Sequence, residues 1–292
     1  MPLPPAGQIA GIYHRRVGDI VVTALSDGFF ITEREMTRNL AREELAQALA
    51  ASFRDTVIFS VNAFLIRAGG RTALLETGSG NYLGPTLGHL IGNVLAAGVM
   101  PAEVDTVLLT HMHPDHSAGL TDMTTGARNF PNAELVVHEN EPRHWYDDGK
   151  MAAASDLYKH LHFQMTREQT RPYLDRTRTF VKGEVFPGVT AIPAHGHTPG
   201  HTAFLIESRN ERLLVWGDTI HIPEVQFARP EIAMVPDTDP DAAVASRRRI
   251  LDMAASERLL VTGMHMHFPG FGHVARERDA FRFHPEAWRQ TL

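Results

Sequence analysis

The sequence predicts an α+β fold, and three observations on the 292-residue chain support that prediction. Two pairs of apolar, β-branched runs, at residues 57–75 and 203–216, are each interrupted by a short turn, which is typical of antiparallel hairpins. Amphipathic spacing at 33–53, 85–99 and 240–254 predicts helices. The hydrophobic fraction of 43% is sufficient for a sizeable core.

The remaining elements follow in order along the chain. Residues 1–18 are punctuated by proline and glycine, so we expect an N-terminal arm that wraps the domain or a partner subunit. Residues from about 139 to 175 are expected to be mainly helical, with breaks near Gly149 and Pro172. Apolar runs predict further strands at 20–25, 107–109, 133–138, 178–185, 189–193 and 259–261.

Composition and charge exclude several classes of protein. Cysteine is absent, so disulfides and thiolate metal sites are excluded, and His, Asp and Glu remain as the strong metal ligands. The formal net charge is -6 and the basic residues are spread along the chain apart from 247–249, which argues against a nucleic-acid partner. No apolar run is long enough to span a bilayer, so no membrane partner is expected. No secretory signal is visible, which favours a cytoplasmic protein, although a signal removed earlier would leave no trace.

One short stretch places three histidines and an aspartate within six positions, directly after a buried apolar run. Because residues two apart in an extended segment face the same side, His111 and His113 can point at one metal ion. Pro114 then turns the chain, and Asp115 and His116 can reach a second position nearby. Imidazole and carboxylate suit zinc and other first-row divalent ions. The alternative, a solvated loop that is merely rich in histidine, is disfavoured by this spacing.

The pattern His111-x-His113-x-Asp115-His116 resembles the signature of the metallo-β-lactamase superfamily. The resemblance implies that residues 1–292 form a single domain, a four-layer αββα sandwich in which this motif follows a strand and supplies ligands to two metals. It also implies that an insertion such as the helical stretch at about 139–175 overhangs the metals.

Two later segments resemble other ligand loops of that family. Residues 196–201 read Gly-His-Thr-Pro-Gly-His, and the match implies that His197 binds metal while His201 orients a neighbouring residue. His195 is the alternative ligand in this segment. Asp218 follows a glycine at a strand end, and the match implies that its carboxylate bridges both metals.

A fourth loop should complete the second metal site. Counting back from the Phe-Pro-Gly run favours His265 over His267 as its ligand. Glu76 stands where the family usually has the aspartate of Asp-x-Gly, which implies that Glu76 holds the metal loop. The alternative is a surface glutamate at a strand-terminating turn.

The resemblance therefore implies two metal sites that share one carboxylate: His111, His113, His197 and Asp218 at the first, and Asp115, His116, His265 and Asp218 at the second. These side chains leave each metal short of a full coordination shell, which is typical of a catalytic site. Zn²⁺ is the expected ion, with Mn²⁺, Co²⁺ and Fe²⁺ as alternatives. A hydroxide between the two ions is the expected nucleophile, and Asp115 is a candidate proton acceptor.

Details outside the ligands resemble one branch of the superfamily, that of methyl parathion hydrolase and its lactonase and arylesterase relatives. These details lie at residues 83–88 and 217–227 and in the Phe-Pro-Gly run after His265. Homoserine lactonases of the family usually have a tyrosine where this chain has His221. His221 is a candidate to hydrogen-bond a leaving group, with a simple wall residue as the alternative. Three aromatic residues are candidates for contacts with an apolar substrate: Tyr82, Trp145 and Phe268.

The sequence thus predicts a dinuclear metal-dependent hydrolase of small-molecule esters or lactones, above all aryl ones, with phosphotriesters as side substrates. The first alternative is hydrolysis of N-acyl-homoserine lactones, as in quorum quenching. An alternative of another class is a metal-binding protein without turnover. A homodimer is expected, because the proline-rich start would suit an exchanged arm.

Overall fold

Two mixed sheets form the framework of the structure, a computed structural model that describes residues 8–32, 35–80 and 82–292. The first sheet has seven described strands in chain order: β1 (Ile12–Val17), β2 (Ile20–Ile31), β3 (Ile58–Ala68), β4 (Arg71–Leu75), β5 (Thr106–Leu108), β6 (Glu134–His138) and β7 (Thr177–Phe180). The second sheet likewise contains β8 (Gly183–Phe186), β9 (Val189–Pro193), β10 (Thr202–Ser208), β11 (Glu211–Val215), β12 (Leu260–Thr262), β13 (Gly272–Glu277) and β14 (Ala280–Pro285).

The helices are short, apart from the last. They are α1 (Arg42–Ala51), α2 (Leu90–Ala96), α3 (Pro114–Ser117), α4 (Asn140–Trp145), α5 (Asp148–Ala153), α6 (Asp156–Tyr158), α7 (Met165–Thr170), α8 (Pro223–Gln226) and α9 (Pro240–Ser256). A π-helical turn (Lys159–Gln164) joins α6 to α7, and 3₁₀ turns lie at Pro101–Glu103, Ala118–Leu120, Arg171–Arg176 and Gly217–Thr219.

The predicted four-layer αββα sandwich is confirmed by how alternate strand residues are buried. In β3, Phe64 and Ile66 belong to the apolar core between the two sheets, together with residues of β10 and β11. The intervening Leu65 belongs to a second core, which the first sheet forms with α2 and the helices after β6. Leu214 and Ile250 belong to a third core between the second sheet and α9. Each sheet therefore buries both faces.

Part of the predicted N-terminal arm is a strand. Ile12–Val17 pairs antiparallel with β2 and forms the edge of the first sheet, rather than a surface arm. The prolines and most glycines of the predicted arm fall within residues 2–11, so the segment after them is free to pair. Residues 1–7 lie outside the described residues, and the homodimer that the arm suggested stays a prediction.

Other boundaries differ from the sequence prediction for local reasons. The predicted strand at 178–185 is two strands in different sheets, because Gly183, at φ 96°, turns the chain from β7 into β8. The predicted helix at 85–99 begins only at Leu90, since Gly84 and Gly88 have φ values of 142° and 87°. The predicted helix at 33–53 begins at Arg42; positions 33 and 34 lie outside the described residues.

The stretch predicted to be mainly helical at about 139–175 contains α4, α5, α6 and α7, and it lies between β6 and β7. No helix in the described ranges combines the length and the apolar character that crossing a bilayer requires. Four strands, β5, β9, β11 and β12, end at the same side of the sandwich, where their following loops meet.

Candidate metal centre

Seven side chains from these four loops converge at one end of the two sheets. Their ligand atoms form two groups, and within each group the atoms lie within 4.8 Å of one another. The first group is His111, His113 and His197, and the second is Asp115, His116, Asp218 and His265. The structure therefore brings together the whole predicted ligand set, although its first and last members, His111 and His265, are 154 positions apart along the chain.

In the first group, three imidazole nitrogens face a common point. Nδ1 of His113 lies 3.0 Å from Nε2 of His111 and 3.0 Å from Nε2 of His197. The opposite nitrogen of His197, Nδ1, lies 2.7 Å from Oδ1 of Asp237, so Nδ1 keeps its proton and Nε2 is the nitrogen that can bind a cation. All three rings are buried. This arrangement suits a cation better than a set of mutual hydrogen bonds.

The second group is built around two carboxylates. Nε2 of His116 lies 3.2 Å from Oδ1 of Asp218 and 3.5 Å from Oδ2 of Asp115. Nε2 of His265 lies 3.3 Å from Oδ2 of Asp218 and 3.4 Å from Oδ2 of Asp115. The same Oδ2 of Asp218 is 3.3 Å from His197 in the first group. Asp218 therefore contacts both groups.

The chemistry of these donors fits a pair of divalent cations. Nε2 of His116 and Oδ1 of Asp218 are buried, and neither makes a hydrogen bond within the described part of the chain. A buried polar atom without a partner is costly, and a metal ion would satisfy both atoms. Five imidazoles and two carboxylates without thiolates suit Zn²⁺, and they also suit the other first-row ions named above.

Without cations, the carboxylates of the centre are balanced by protons on histidines. Burial lowers the pKa of His265, but the charges of Asp218 and Asp115 outweigh burial and raise the pKa to about 10. Burial likewise lowers the pKa of His197, while Asp218 and Asp237 raise it to about 9. Burial raises the pKa of Asp218, but the surrounding histidines hold it well below its usual range. Metal ions that occupied this centre would displace these protons.

Glu76 lies where the sequence places it, behind the metal-binding loop. It is fully buried, Oε1 accepts a hydrogen bond of 2.8 Å from the Thr110 amide, and Oε2 lies 3.1 Å from Nδ1 of His116. Its backbone adopts φ 70°, in the left-handed region. The alternative of a surface glutamate is wrong, because the carboxylate connects both ends of the loop between Thr110 and His116.

The structure places three other histidines that the sequence raised, His195, His201 and His267, outside both groups of ligand atoms. His201 Nε2 accepts a hydrogen bond of 2.9 Å from the Asp218 amide, and its Nδ1 lies 2.8 Å from the Ala194 carbonyl oxygen, so it orients the loop that carries Asp218. His195 belongs to neither group and packs against His138, with ring centroids 4.8 Å apart. His267 also lies outside both groups, with Nε2 2.7 Å from Glu224.

A cavity of about 760 Å³ opens onto the centre. Its apolar walls come from β2, β3, the loop after β4, α6 with the π-helical turn, the start of α7, and the loop before α9: Phe30, Ile31, Phe59, Leu83, Leu157, Leu161, Met165 and Val235. Phe30 and Phe59 stack with ring centroids 4.9 Å apart. No lysine or arginine is among the described residues that line this cavity. Its surface therefore favours an uncharged, apolar ligand.

Of the three aromatic residues expected in the pocket, one lines the cavity. Tyr82 is part of its wall. Trp145 is not: it is fully buried, its ring lies 5.3 Å from that of His113, and its Nε1 donates to Glu141. Phe268, although 37% exposed, also lies outside the lining. The sequence could not separate these cases, because an aromatic residue suits a core and a pocket equally.

His221 lies in the cavity wall beside Asp218. Its Nε2 is 3.0 Å from Oδ2 of Asp218, and its ring stacks on that of His265 with centroids 5.3 Å apart. Burial lowers the pKa of His221 to about 4, so the ring is neutral at physiological pH. With His197 and Asp218 it forms a third group of possible ligand atoms.

Sequence reasoning missed two buried carboxylates beside the first group. Asp237 contacts His197 as described above, and its Oδ2 accepts a hydrogen bond of 2.7 Å from the Met234 amide. Glu141, in α4, contacts both loops that carry the first group. Neither residue lies in a ligand motif, and both have acidic neighbours, Glu139 and Asp239, so nothing in the sequence singled them out.

Comparisons with known proteins show the family of the chain. The model of the metallo-β-lactamase superfamily matches residues 57–274, and the chain belongs to this superfamily. The hydrolase AbOPH, also in the β-lactamase superfamily, has a solved structure that is 31% identical, with a TM-score of 0.91 and coverage of 97% of this chain and 100% of that one. AidC, a dizinc quorum-quenching lactonase solved in complex with a product, shares the fold at a TM-score of 0.89 and 24% identity, with 96% and 99% covered.

A curated relative is also similar in sequence. The N-acyl homoserine lactonase of Bacillus thuringiensis is 26% identical over 203 residues, which cover 67% of this chain and 66% of that protein. The chain spans less than two thirds of the length of the first curated relatives that it matches.

Proposed function

We propose that the protein is a dinuclear metal-dependent hydrolase of esters or lactones, with aryl esters and aryl lactones as its favoured substrates. The observation that carries the proposal is the position of Asp218, between two buried groups of ligand atoms at the base of an apolar cavity. His111, His113 and His197 would hold one ion and Asp115, His116 and His265 the other. Two divalent ions held in this way would acidify water and polarise the scissile carbonyl.

The side chains of the cavity explain how a substrate would be held. The stacked rings of Phe30 and Phe59 offer an aromatic wall, and the ring of Phe59 lies 5.8 Å from that of His265. An aryl group on this wall, with Tyr82 as a further proposed contact, would bring its ester bond towards Asp218. Because no lysine or arginine is among the described lining residues, the cavity offers no such partner for a second anionic group, and substrates with a carboxylate or phosphate monoester are disfavoured.

Two residues are proposed to assist the reaction. His221 is neutral and faces the cavity, so its ring N–H can donate a hydrogen bond to the leaving oxygen and stabilise the negative charge that develops there. Asp115, whose side chain is 17% exposed, is a proposed ligand that also borders the cavity, and its carboxylate can accept the proton released when water adds to the carbonyl. Side activity on uncharged phosphotriesters follows from the same geometry.

A second candidate within the same chemistry is hydrolysis of N-acyl-homoserine lactones. The similarity to the Bacillus thuringiensis lactonase favours it, and the apolar wall formed by Leu157, Leu161 and Val235 could hold an acyl chain. A metal-binding protein without turnover remains the alternative of another class.

A hydrolysis panel separates these candidates. The zinc-loaded protein would be assayed with aryl esters, γ- and δ-lactones, N-acyl-homoserine lactones and phosphotriesters. We expect the highest kcat/KM for aryl esters or aryl lactones. Preference for homoserine lactones would select the second candidate, and absence of turnover on every substrate by a protein that retains two metals would contradict the proposal.

A further inference from the structure

Glu141 is fully buried and accepts four hydrogen bonds. Oε1 accepts from the hydroxyl of Thr198 at 2.5 Å and from the amide of Gly200 at 2.7 Å. Oε2 accepts from the amide of Met112 at 2.9 Å and from Nε1 of Trp145 at 2.8 Å. The chemistry is complementary, because an ionised carboxylate only accepts hydrogen bonds and here it faces only donors.

These four donors lie next to the first group of ligand atoms. Met112 lies between His111 and His113, and Thr198 follows His197. The ring of Trp145 also packs edge-on against that of His113. One carboxylate therefore connects both loops of the first group and the aromatic ring that supports it.

At Gly200, the loop after His197 approaches the side chain of Glu141 too closely for any larger residue. A Cβ atom at this position would lie 2.8 Å from Cγ and 2.9 Å from Oε1 of Glu141. Any larger residue would push the loop after His197 away from the carboxylate. The second glycine of the Gly-His-Thr-Pro-Gly-His segment thus permits the approach of Glu141.

The second group has a different buried glutamate behind it. Glu76 contacts the Thr110 amide and His116, and makes none of the four hydrogen bonds that Glu141 makes. The centre therefore has one buried carboxylate behind each group. This division suggests that each carboxylate controls a different metal.

We propose that Glu141 is a positioning residue that sets the geometry of the first metal site, formed by His111, His113 and His197, and leaves the second site unaffected. This inference rests on the proposed metal centre. In Glu141→Gln, the side-chain amide would replace one acceptor oxygen with a donor, so two of the four present donors would lose their acceptor. The loops that carry His113 and His197 would then no longer be fixed relative to each other.

The test measures zinc binding site by site. Two stepwise dissociation constants are obtained by competition with a chromophoric chelator, and ¹⁵N NMR of labelled histidines identifies which ring nitrogens are bound. We expect Glu141→Gln to weaken the first site about 10- to 100-fold, the range typical for groups that orient a ligand. The signals of His116 and His265 should remain those of the zinc-bound form at free zinc concentrations that empty His113 and His197.

Two further variants test whether the effect is specific to the contacts of Glu141. Glu139→Gln, two positions earlier, alters a carboxylate that pairs with Arg143 on the surface, and both zinc dissociation constants should stay within about twofold of the wild type. Thr198→Val removes one donor to Glu141 and should weaken the first site alone, by less than Glu141→Gln does. This second variant provides the same site-specific measurement if Glu141→Gln does not fold.

The outcomes are distinguishable. If the wild type binds no zinc, the metal centre itself is wrong and the inference falls with it. If the wild type binds two zinc ions but the variants weaken both sites equally or neither site, the role of Glu141 is contradicted while the centre stands. Selective loss at the first site supports the inference, since a general loss of stability would affect both sites.

Discussion

Oδ1 of Asp237 lies 2.7 Å from Nδ1 of His197, across 40 positions of the chain. Both side chains are buried, and Asp237 is held in turn by the Met234 amide. Arg38 donates to the carbonyl oxygens of Met234 and Asp237, which anchors the loop that carries this carboxylate. The contact fixes the tautomer of His197 so that Nε2 is free to bind a cation.

The first prediction follows from this contact. Asp237→Asn removes the negative charge beside His197, and we expect zinc affinity to fall about 10- to 100-fold. Competition with a chelator measures the change. Asp241→Asn, an exposed position in α9, is the matched control and should leave affinity unchanged. Equal affinities in both variants and the wild type would show that Asp237 does not orient the ligand.

The second prediction concerns Asp218 and His195. Asp218→Ala should lose both metals and turnover, because this carboxylate contacts both ligand groups. His195→Ala should keep both, since His195 packs against His138 away from the centre. Metal content by elemental analysis and hydrolysis of a chromogenic ester provide the two measurements. An Asp218→Ala protein that retains two metals would rule out the shared carboxylate.

Much of this centre could be predicted from the sequence because its ligands lie in short motifs. One motif places four ligands within six positions: His111, His113, Asp115 and His116. The Gly-His-Thr-Pro-Gly-His segment is a second motif, and its resemblance to the family's loop indicates that its first histidine, His197, faces the metal. Asp237 and Glu141 could not be predicted, since their partners are distant and only the packing of loops brings them together. The secondary-structure prediction failed at 178–185 for a related reason: the single strand predicted there is divided between two sheets.

The third prediction tests His221 as a hydrogen-bond donor to the leaving group. His221→Phe keeps an aromatic ring but removes the ring N–H. We expect kcat to fall about 100-fold for an ester with an alkoxide leaving group, whose developing charge needs the hydrogen bond, and only a few-fold for a nitrophenyl ester, whose leaving group is stable without it. A series of leaving groups of increasing pKa measures this dependence. A uniform loss across the series would make His221 a wall residue.

The fourth prediction concerns the pH dependence of the metal-free protein. The pKa of His197 is about 9 and that of His265 about 10, both above the value of about 6.5 expected for an unfolded chain. Their protonated forms therefore stabilise the fold fully below pH of about 6.5, and this contribution is lost as pH rises through about 9 and about 10.

Urea unfolding in the presence of a chelator checks this sign. The free energy of unfolding should decrease steadily from pH of about 6.5 to about 10 in the metal-free protein. The zinc-loaded protein should lose much less over the same interval, because the cations replace the protons. A free energy that stays constant or increases with pH in the metal-free protein would contradict the charge balance described for the centre.

Anomalous diffraction at the zinc edge, from crystals of the zinc-loaded protein, tests the central claim most directly. We predict two peaks about 3.5 to 4 Å apart, the spacing typical of two-metal hydrolases. One should lie among His111, His113 and His197, and the other next to His265, with Asp218 between them. A single peak, or none within reach of these side chains, would contradict the dinuclear centre.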